Sequence, residues 1–386
     1  MSLSVELPLA GGGLEEYTLK GGPVYPSTSP PARSRAVYAA AHVVARERGD
    51  PSRGSPPALD WDRTLAFRHH LWDLGLGVAE AMDTAQRGMG LDWPLAAELV
   101  RRTGAEARSR GGALVAGAQT DHLAAGTTVT VDRIRASYLE QCEAIEATGA
   151  RVVLMASREL CRVSKGPEDY AKVYGPVLCQ LREPAILHWL GEMFDPELRG
   201  YWGSENYAEA STCLLGIIAD NVRRVDGVKL SLLDQAKEVD LRRRLPPGVR
   251  MYTGDDFDYP TTIAGDGFRH SDALLGAFDF AAPAAAWSLQ ALDAGDTNEF
   301  ARRLAPTLPL SRHVFSAPTS YYKTGVVFLS YLNGHQPHFL MVGGMETGRS
   351  LAHLAQCFRL ADTAGLLPDP QLAVARMRQL LALAGS

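Results

Sequence analysis

Residues 132–155 read DRIRASYLEQCEAIEATGARVVLM. Ile134, Tyr138, Cys142 and Ile145 recur at helical spacing, so 132–147 forms a helix with one apolar stripe and an otherwise charged surface. Gly149 releases the chain from that helix. The run 151–155 is short, β-branched and apolar, the pattern of a strand covered on both faces in a parallel sheet. A β-rich TTVTV run precedes the helix at 127–131. The same alternation extends in both directions. Strands are expected at 36–44, 77–81, 113–118, 151–155, 185–189, 227–230, 249–253 and 273–278, and helices at 61–74, 94–109, 132–147, 167–181, 207–223 and 232–245. Eight parallel strands with intervening helices close most readily into an α/β (β/α)8 TIM barrel, which takes ~250 residues. An open doubly wound sheet uses the same units, but the chain has neither GxGxxG nor GxxxxGK[ST] to bind a nucleotide at its crossover.

The remaining length divides into an N-terminal arm, 1–34, a barrel, 35–297, and a C-terminal helical extension packed on the barrel, 298–386. In the arm, GGG at 11–13, GGP at 21–23 and the Pro/Ser stretch 26–31 cannot continue a regular element. With Lys+Arg at 39 and Asp+Glu at 44, a formal charge of −5 offers no basic field for nucleic acid or anionic lipid. Apolar runs such as 36–45 and 213–219 fall far short of the ~20 residues that span a bilayer. The segment MSLSVELPLAGGG lacks the basic lead and apolar stretch of a signal peptide, so a cytoplasmic setting is expected. Five scattered cysteines, without a CxxC pair, indicate neither a disulfide framework nor a thiolate zinc site and read as mostly core residues.

In a barrel of this type, functional groups sit at the carboxyl ends of the strands. Those ends offer His42, Glu80, Asp83, Gln119, Asp121, His122, Ser157, His188, Lys229, Asp255 and Asp256. Lys229 stands in VDGVKLS, 225–231, inside a run that otherwise reads as a buried strand. Burial disfavours the charged ammonium, so a lysine facing a barrel interior is neutral enough to attack a carbonyl and form a Schiff base, whose iminium then accepts electrons from the adjacent bond. A structural lysine paired with Glu80 or Asp83 is the competing reading of the same position.

Four segments carry a resemblance: DGVKL at 226–230, PGVRMYTGDD at 247–256, LLGA at 274–277 and ALDAGD at 291–296. In order and spacing they resemble the dihydrodipicolinate synthase/N-acetylneuraminate lyase superfamily, most specifically over 182–296. The resemblance implies a barrel with Lys229 as the Schiff-base lysine on its sixth strand. It also implies cleavage or joining of C–C bonds in 2-keto acids or dehydration of sugar acids, no metal or organic cofactor, and assembly as a homo-oligomer. Two departures are evident. Where the family carries a tyrosine at the end of the fifth strand, this chain has PAILHW, 184–189, and His188 is expected to take over as acid/base. Where the family carries a Gly-Thr-Thr-Gly-Glu turn for the substrate carboxylate, this chain has AMDTAQRG, 81–88. Thr84 survives there as one donor, while Asp83 repels a carboxylate unless Arg87 offsets its charge. A hydroxyl-rich carbonyl substrate therefore suits the expected binding set of Glu80, Asp83, Thr84, Gln119, Asp121 and Asp255.

The leading expectation is thus a class I aldolase-type lyase or hydro-lyase acting on a small carbonyl compound, with Lys229 forming the imine. Two alternatives accompany it. One is a metal-dependent barrel using Glu80, Asp83, His122 and His188, although no tight ligand spacing such as HExxH is present. The other is a non-catalytic barrel that binds a sugar acid. Arg242, Arg243 and Arg244, with Lys237, Glu238 and Asp240, read as a solvated mixed-charge helix face. His69 and His70 read as surface or partly buried, and Tyr321, Tyr322 and Lys323 as packing. Loops 49–57 and 194–205 are expected to shape specificity over the pocket.

Overall fold

A computed structural model describes residues 3–46, 58–123 and 129–385. The expected loop at 49–57 lies outside the described residues. Eight parallel strands close into one barrel: Val37–Ala40, Gly77–Glu80, Leu114–Ala118, Arg151–Leu154, Ala185–Leu190, Val225–Ser231, Arg250–Thr253 and Asp272–Leu275, the last pairing with the first. Each expected strand has its counterpart. The six expected helices are also present, among them Trp61–Asp73, Trp93–Arg110, Val131–Glu146 and Gln235–Arg244. Their starts follow from side-chain caps: Asp60, Asp92, Thr130 and Asp234 each accept a backbone N–H from the first turn.

Two apolar layers define which way each strand residue points. Tyr38, Val115, Val153, Ile186, Tyr252 and Leu274 pack together inside the barrel. Their neighbours in sequence, such as Ala39, Ala116, Leu154, Leu187 and Leu275, join the larger core between strands and helices. With a side-chain period of two, this settles the facing of every strand position.

The N-terminal arm departs from expectation. Ser4–Pro8 and Leu14–Thr18 form an antiparallel hairpin around the glycine turn. The reason is an alternation of Val5, Leu7 and Tyr17 on one face, which is buried against the helices Leu351–Thr363 and Pro370–Leu383. The expected C-terminal helices are present, and Tyr322–Leu332 among them is buried at every position. It packs on Ala277–Phe280 and on the short turn Asp83–Ala85, and so overlies the carboxyl ends of the barrel strands. Among the described residues, no helix is long and apolar enough to cross a membrane.

The helix Gln235–Arg244 is also not the fully solvated face that its charges suggest. Arg243 and Asp240 are exposed, but Glu238 and Arg242, one turn apart, are buried against the barrel wall. Thr253 and Ser271 donate hydroxyls to Glu238 at 2.8 and 2.7 Å. Arg242 donates to the Thr262 carbonyl and to Ser271 Oγ. Of the five cysteines, Cys142 and Cys357 are buried, whereas Cys179 is exposed.

Candidate active site

On the sixth strand, Val228 and Leu230 belong to the outer core, so Lys229 points into the barrel. Its register partner on the fifth strand is His188, flanked by the outward-facing Leu187 and Trp189. The two side chains therefore stand side by side on the inner wall. Gly227, two residues earlier, leaves room beneath the lysine: a Cβ there would meet the Tyr252 ring at 2.7 Å.

The Lys229 amine is buried and makes neither a hydrogen bond nor an ion pair among the described residues. Burial lowers its pKa below the ordinary lysine value, while the carboxylates of Asp83 and Asp256 act in the opposite direction. Asp256 is itself pushed up to about 7, chiefly by burial, and its Oδ1 accepts the Ala277 N–H at 2.8 Å. His188 is fully buried. Burial and the neighbouring Lys229 hold its pKa well below the usual value, so the ring is neutral. Its Nε2 lies 3.2 Å from Ser231 Oγ and its Nδ1 has no partner.

Above this pair, Tyr322 reaches in from the C-terminal extension. Its hydroxyl lies 2.8 Å from Thr84 Oγ1, and its ring stacks on Phe315 with centroids 4.4 Å apart. Burial and the charge of Asp83 hold the phenol protonated. The approach depends on Gly276 at the end of the eighth strand, where a Cβ would press on Phe315, Tyr322 and Thr84 at 3.0–3.3 Å. The next residue, Lys323, is buried with its Nζ near Ser320 O at 3.1 Å and Met89 Sδ at 3.4 Å. Burial lowers its pKa to about 8, against the pull of Asp83 and Asp195. A cavity of about 160 Å³ at the barrel mouth is lined by Asp83, Gln119, Asp121, Arg158, Phe194 and Lys323, together with Arg87 and neighbours. The loop 194–205 thus borders this cavity through its first residues.

The expected binding residues separate into two groups. Asp83, Gln119 and Asp121 line the mouth, and Thr84 lies beneath Tyr322. Glu80 does not join them. Its neighbour Ala79 faces inward, so Glu80 points out of the barrel, where Arg68 clasps it at 2.8 Å on both oxygens and Thr103 donates at 2.7 Å. Asp255 also turns away: its Oδ1 accepts the Phe257 N–H at 2.8 Å, and the charge that reaches the lysine belongs to Asp256. The condition under which Asp83 would tolerate a carboxylate, an offsetting Arg87, is not met. Arg87 forms a bidentate pair with Asp121 at 2.8 and 2.6 Å, and burial, which pushes that carboxyl up, is overcome so that it stays below the usual range. The charges opposed to Asp83 are instead the two buried lysines.

The metal set of the second reading does not assemble. Glu80 stands behind the barrel wall, and His122 bonds Glu140 at 3.0 Å and Gln141 at 2.8 Å. Tyr322 and Lys323, expected from the sequence only to pack, instead bring a hydroxyl to Thr84 and an amine to the mouth cavity. The signal for Lys323 was the one that singled out Lys229, a lone lysine within an apolar run.

A family model described as "Protein of unknown function (DUF993)" matches residues 5–386. No curated protein matches the chain. Among solved structures, dihydrodipicolinate synthase of Thermotoga maritima is similar with a TM-score of 0.64 and 13% identity, covering 87% of this chain and 100% of that one. The enzyme of that name from Bacteroides thetaiotaomicron aligns with a TM-score of 0.64 and 14% identity, covering 85% and 99%. Dihydrodipicolinate synthase DapA-2 of Bacillus anthracis aligns with a TM-score of 0.62 and 12% identity, covering 84% and 98%. At such identities the likeness is one of fold.

Proposed function

This chain belongs to the DUF993 family, and from its barrel and the lysine inside it we propose that it is a lyase of the Schiff-base aldolase type acting on a 2-keto acid or a related hydroxylated carbonyl compound. The observation that carries this reading is the Lys229 amine, buried inside the barrel on the sixth strand and free of any salt bridge among the described residues.

A desolvated amine is a nucleophile at lower pH than a solvated one. In the proposed reaction, the Lys229 Nζ lone pair adds to the substrate ketone and the carbinolamine loses water to give an iminium. The iminium then draws in the electron pair of the bond beside it. In aldol cleavage that bond is C–C: a base removes the proton of the hydroxyl on the departing carbon, which leaves as a carbonyl compound while the C–C electron pair forms the enamine. In dehydration the adjacent carbon first loses a proton, and the enamine expels hydroxide. After cleavage the enamine is protonated at carbon, and on either path addition of water to the iminium returns the ketone and the free amine. The neutral His188 beside the lysine is the proton acceptor in this scheme. The Tyr322–Thr84 pair supplies a relay in place of the tyrosine that the fifth strand lacks. Arg158 at the mouth is taken up by Asp195 at 2.6 Å, so Lys323 is the cation that favours a substrate bearing a carboxylate, held above the imine by a charge-assisted hydrogen bond.

Borohydride reduction in the presence of pyruvate and longer hydroxylated 2-keto acids, followed by peptide mass mapping, tests the reading. The expected result is a reduced adduct on Lys229 with at least one of them, absent from Lys229→Met. Turnover of a substrate that leaves Lys229 unmodified, or that survives in Lys229→Met, overturns it.

A further inference from the structure

Beyond the carboxyl ends of the first and eighth barrel strands, three elements distant in sequence meet at three hydrogen-bonded side chains. His42, which follows the first strand, has its Nδ1 2.8 Å from Asp279 Oδ2 and its Nε2 2.8 Å from Ser330 Oγ. The backbone N–H of His42 donates to the same Asp279 oxygen at 2.8 Å, so one carboxylate holds both the main chain and the ring. A carboxylate accepts only. The Nδ1 position therefore carries the proton, and the Nε2 lone pair faces the serine hydroxyl. Phe67 fixes the other side of the imidazole with ring centroids 4.4 Å apart, and Arg68 holds the His42 carbonyl. A nucleophile, a base within hydrogen-bond reach and a third group orienting that base are the geometric criteria for an activated serine.

The serine is also reachable from a cavity. Ser330 and Asp279 line a space of about 380 Å³ bounded by apolar groups that include Tyr25, Phe67, Phe280 and Leu366. That volume lies in the usual range for small-molecule sites. It shares no lining residue with the cavity at the barrel mouth. Ser330 is inside the helix Tyr322–Leu332, where its own N–H is committed to the helix. The donor for a developing oxyanion must then be a side chain. Asn333, three residues along the helix face, lines the cavity, and its buried Oδ1 has no partner. Its terminal amide is free to turn its NH2 toward the substrate.

We propose that Ser330, His42 and Asp279 form a second, hydrolytic site that cleaves carboxylic esters carrying an apolar group of a size to fill this cavity. Ser330 Oγ adds to the ester carbonyl carbon while its proton passes to His42 Nε2. Collapse of the tetrahedral intermediate breaks the bond to the alcohol oxygen, which leaves with that proton. Water then adds to the acyl-serine through the same base, releasing the acid and restoring the serine, so ester and water become acid and alcohol. Nothing in this proposal depends on Lys229.

The test uses the full chain. A fluorophosphonate probe is applied and its site mapped by peptide mass, and hydrolysis of p-nitrophenyl butyrate is measured in parallel. The expected results are a covalent label on Ser330 and a loss of at least about 100-fold in hydrolysis for Ser330→Ala and for Asp279→Asn. Lys229→Met is expected to hydrolyse the ester at the unaltered rate, which separates this site from the barrel mouth. Absence of label on Ser330 in the unaltered chain overturns the proposal without recourse to any variant. Ester hydrolysis unchanged in a folded Ser330→Ala overturns it as well.

Discussion

At Lys229 two effects act on one proton. Burial favours the neutral amine, and Asp83 and Asp256 favour the ammonium, with burial the larger. Removing a carboxylate leaves burial less opposed, so Asp256→Asn is expected to lower the lysine pKa further. The pH midpoint of borohydride trapping would then move to the acid side of its value in the unaltered chain. The lysine also has a consequence for stability. Its folded pKa lies below the unfolded value of 10.5, so the unfolded chain binds more protons between those two pH values, and stability rises with pH through that window. Lys229→Met removes the cost of burying the charge. It is expected to raise the melting temperature at pH 7 by a few degrees, with the gain shrinking as pH approaches 10.5, as calorimetry at the two pH values can read. A chain that loses imine formation while gaining stability has given up a functional group, not a structural one.

The helix Gln235–Arg244 is held to the barrel wall by a carboxylate that resists ionisation. Burial pushes Glu238 up to about 7 even though Ser271 and Thr253 donate to it. The folded state thus holds a proton that the unfolded state has lost, and stability falls as pH rises from about 4.5 to 7. Above that range the cost is about 3 kcal/mol, the free energy of ionising a carboxyl held at about 7 and not at 4.5. Glu238→Gln is expected to flatten this dependence and to be the more stable protein at pH 8, the comparison being urea denaturation at pH 5 and pH 8. Thr253 and Ser271 lie on and beside the last two barrel strands, so the effect should appear in global unfolding and not as local fraying of one helix.

Across the whole molecule, the N-terminal arm and the C-terminal extension form one structure. Asp362 accepts the Tyr17 hydroxyl and the Lys20 N–H, each at 2.7 Å, and the Gly21 N–H at 3.0 Å. Asp293 clamps Arg33 and Ser34 in the same manner, which ties the remainder of the arm to the last barrel helix. Asp362→Ala strips three donors of their acceptor and is expected to cost about 2–4 kcal/mol. Thermal melts should register that loss, and limited proteolysis should show cleavage within the first thirty residues that the unaltered chain resists. Because the arm segment 21–27 also walls the cavity next to Ser330, detaching it should slow ester hydrolysis more than imine trapping.

Local patterning was enough to reveal the eight strands and their order. Each is a short apolar run bounded by a helix of matching period, and such units have few ways to close. The placement of Lys229 on the sixth strand was equally legible, because one cation inside VDGVKLS is conspicuous. The facing of Glu80 was not. GVAE is buried on both sides and lacks the alternation that would tell inside from outside, so only the packed barrel showed Arg68 behind it. Asp255 and Asp256 lie beyond the end of their strand, where the period of two no longer applies. Tyr322 meets Thr84 across 238 positions and Ser330 meets His42 across 288. Contacts of that range leave no periodic trace in the chain, since they are made by the docking of one finished element on another, and they became visible only once the C-terminal helix lay across the barrel.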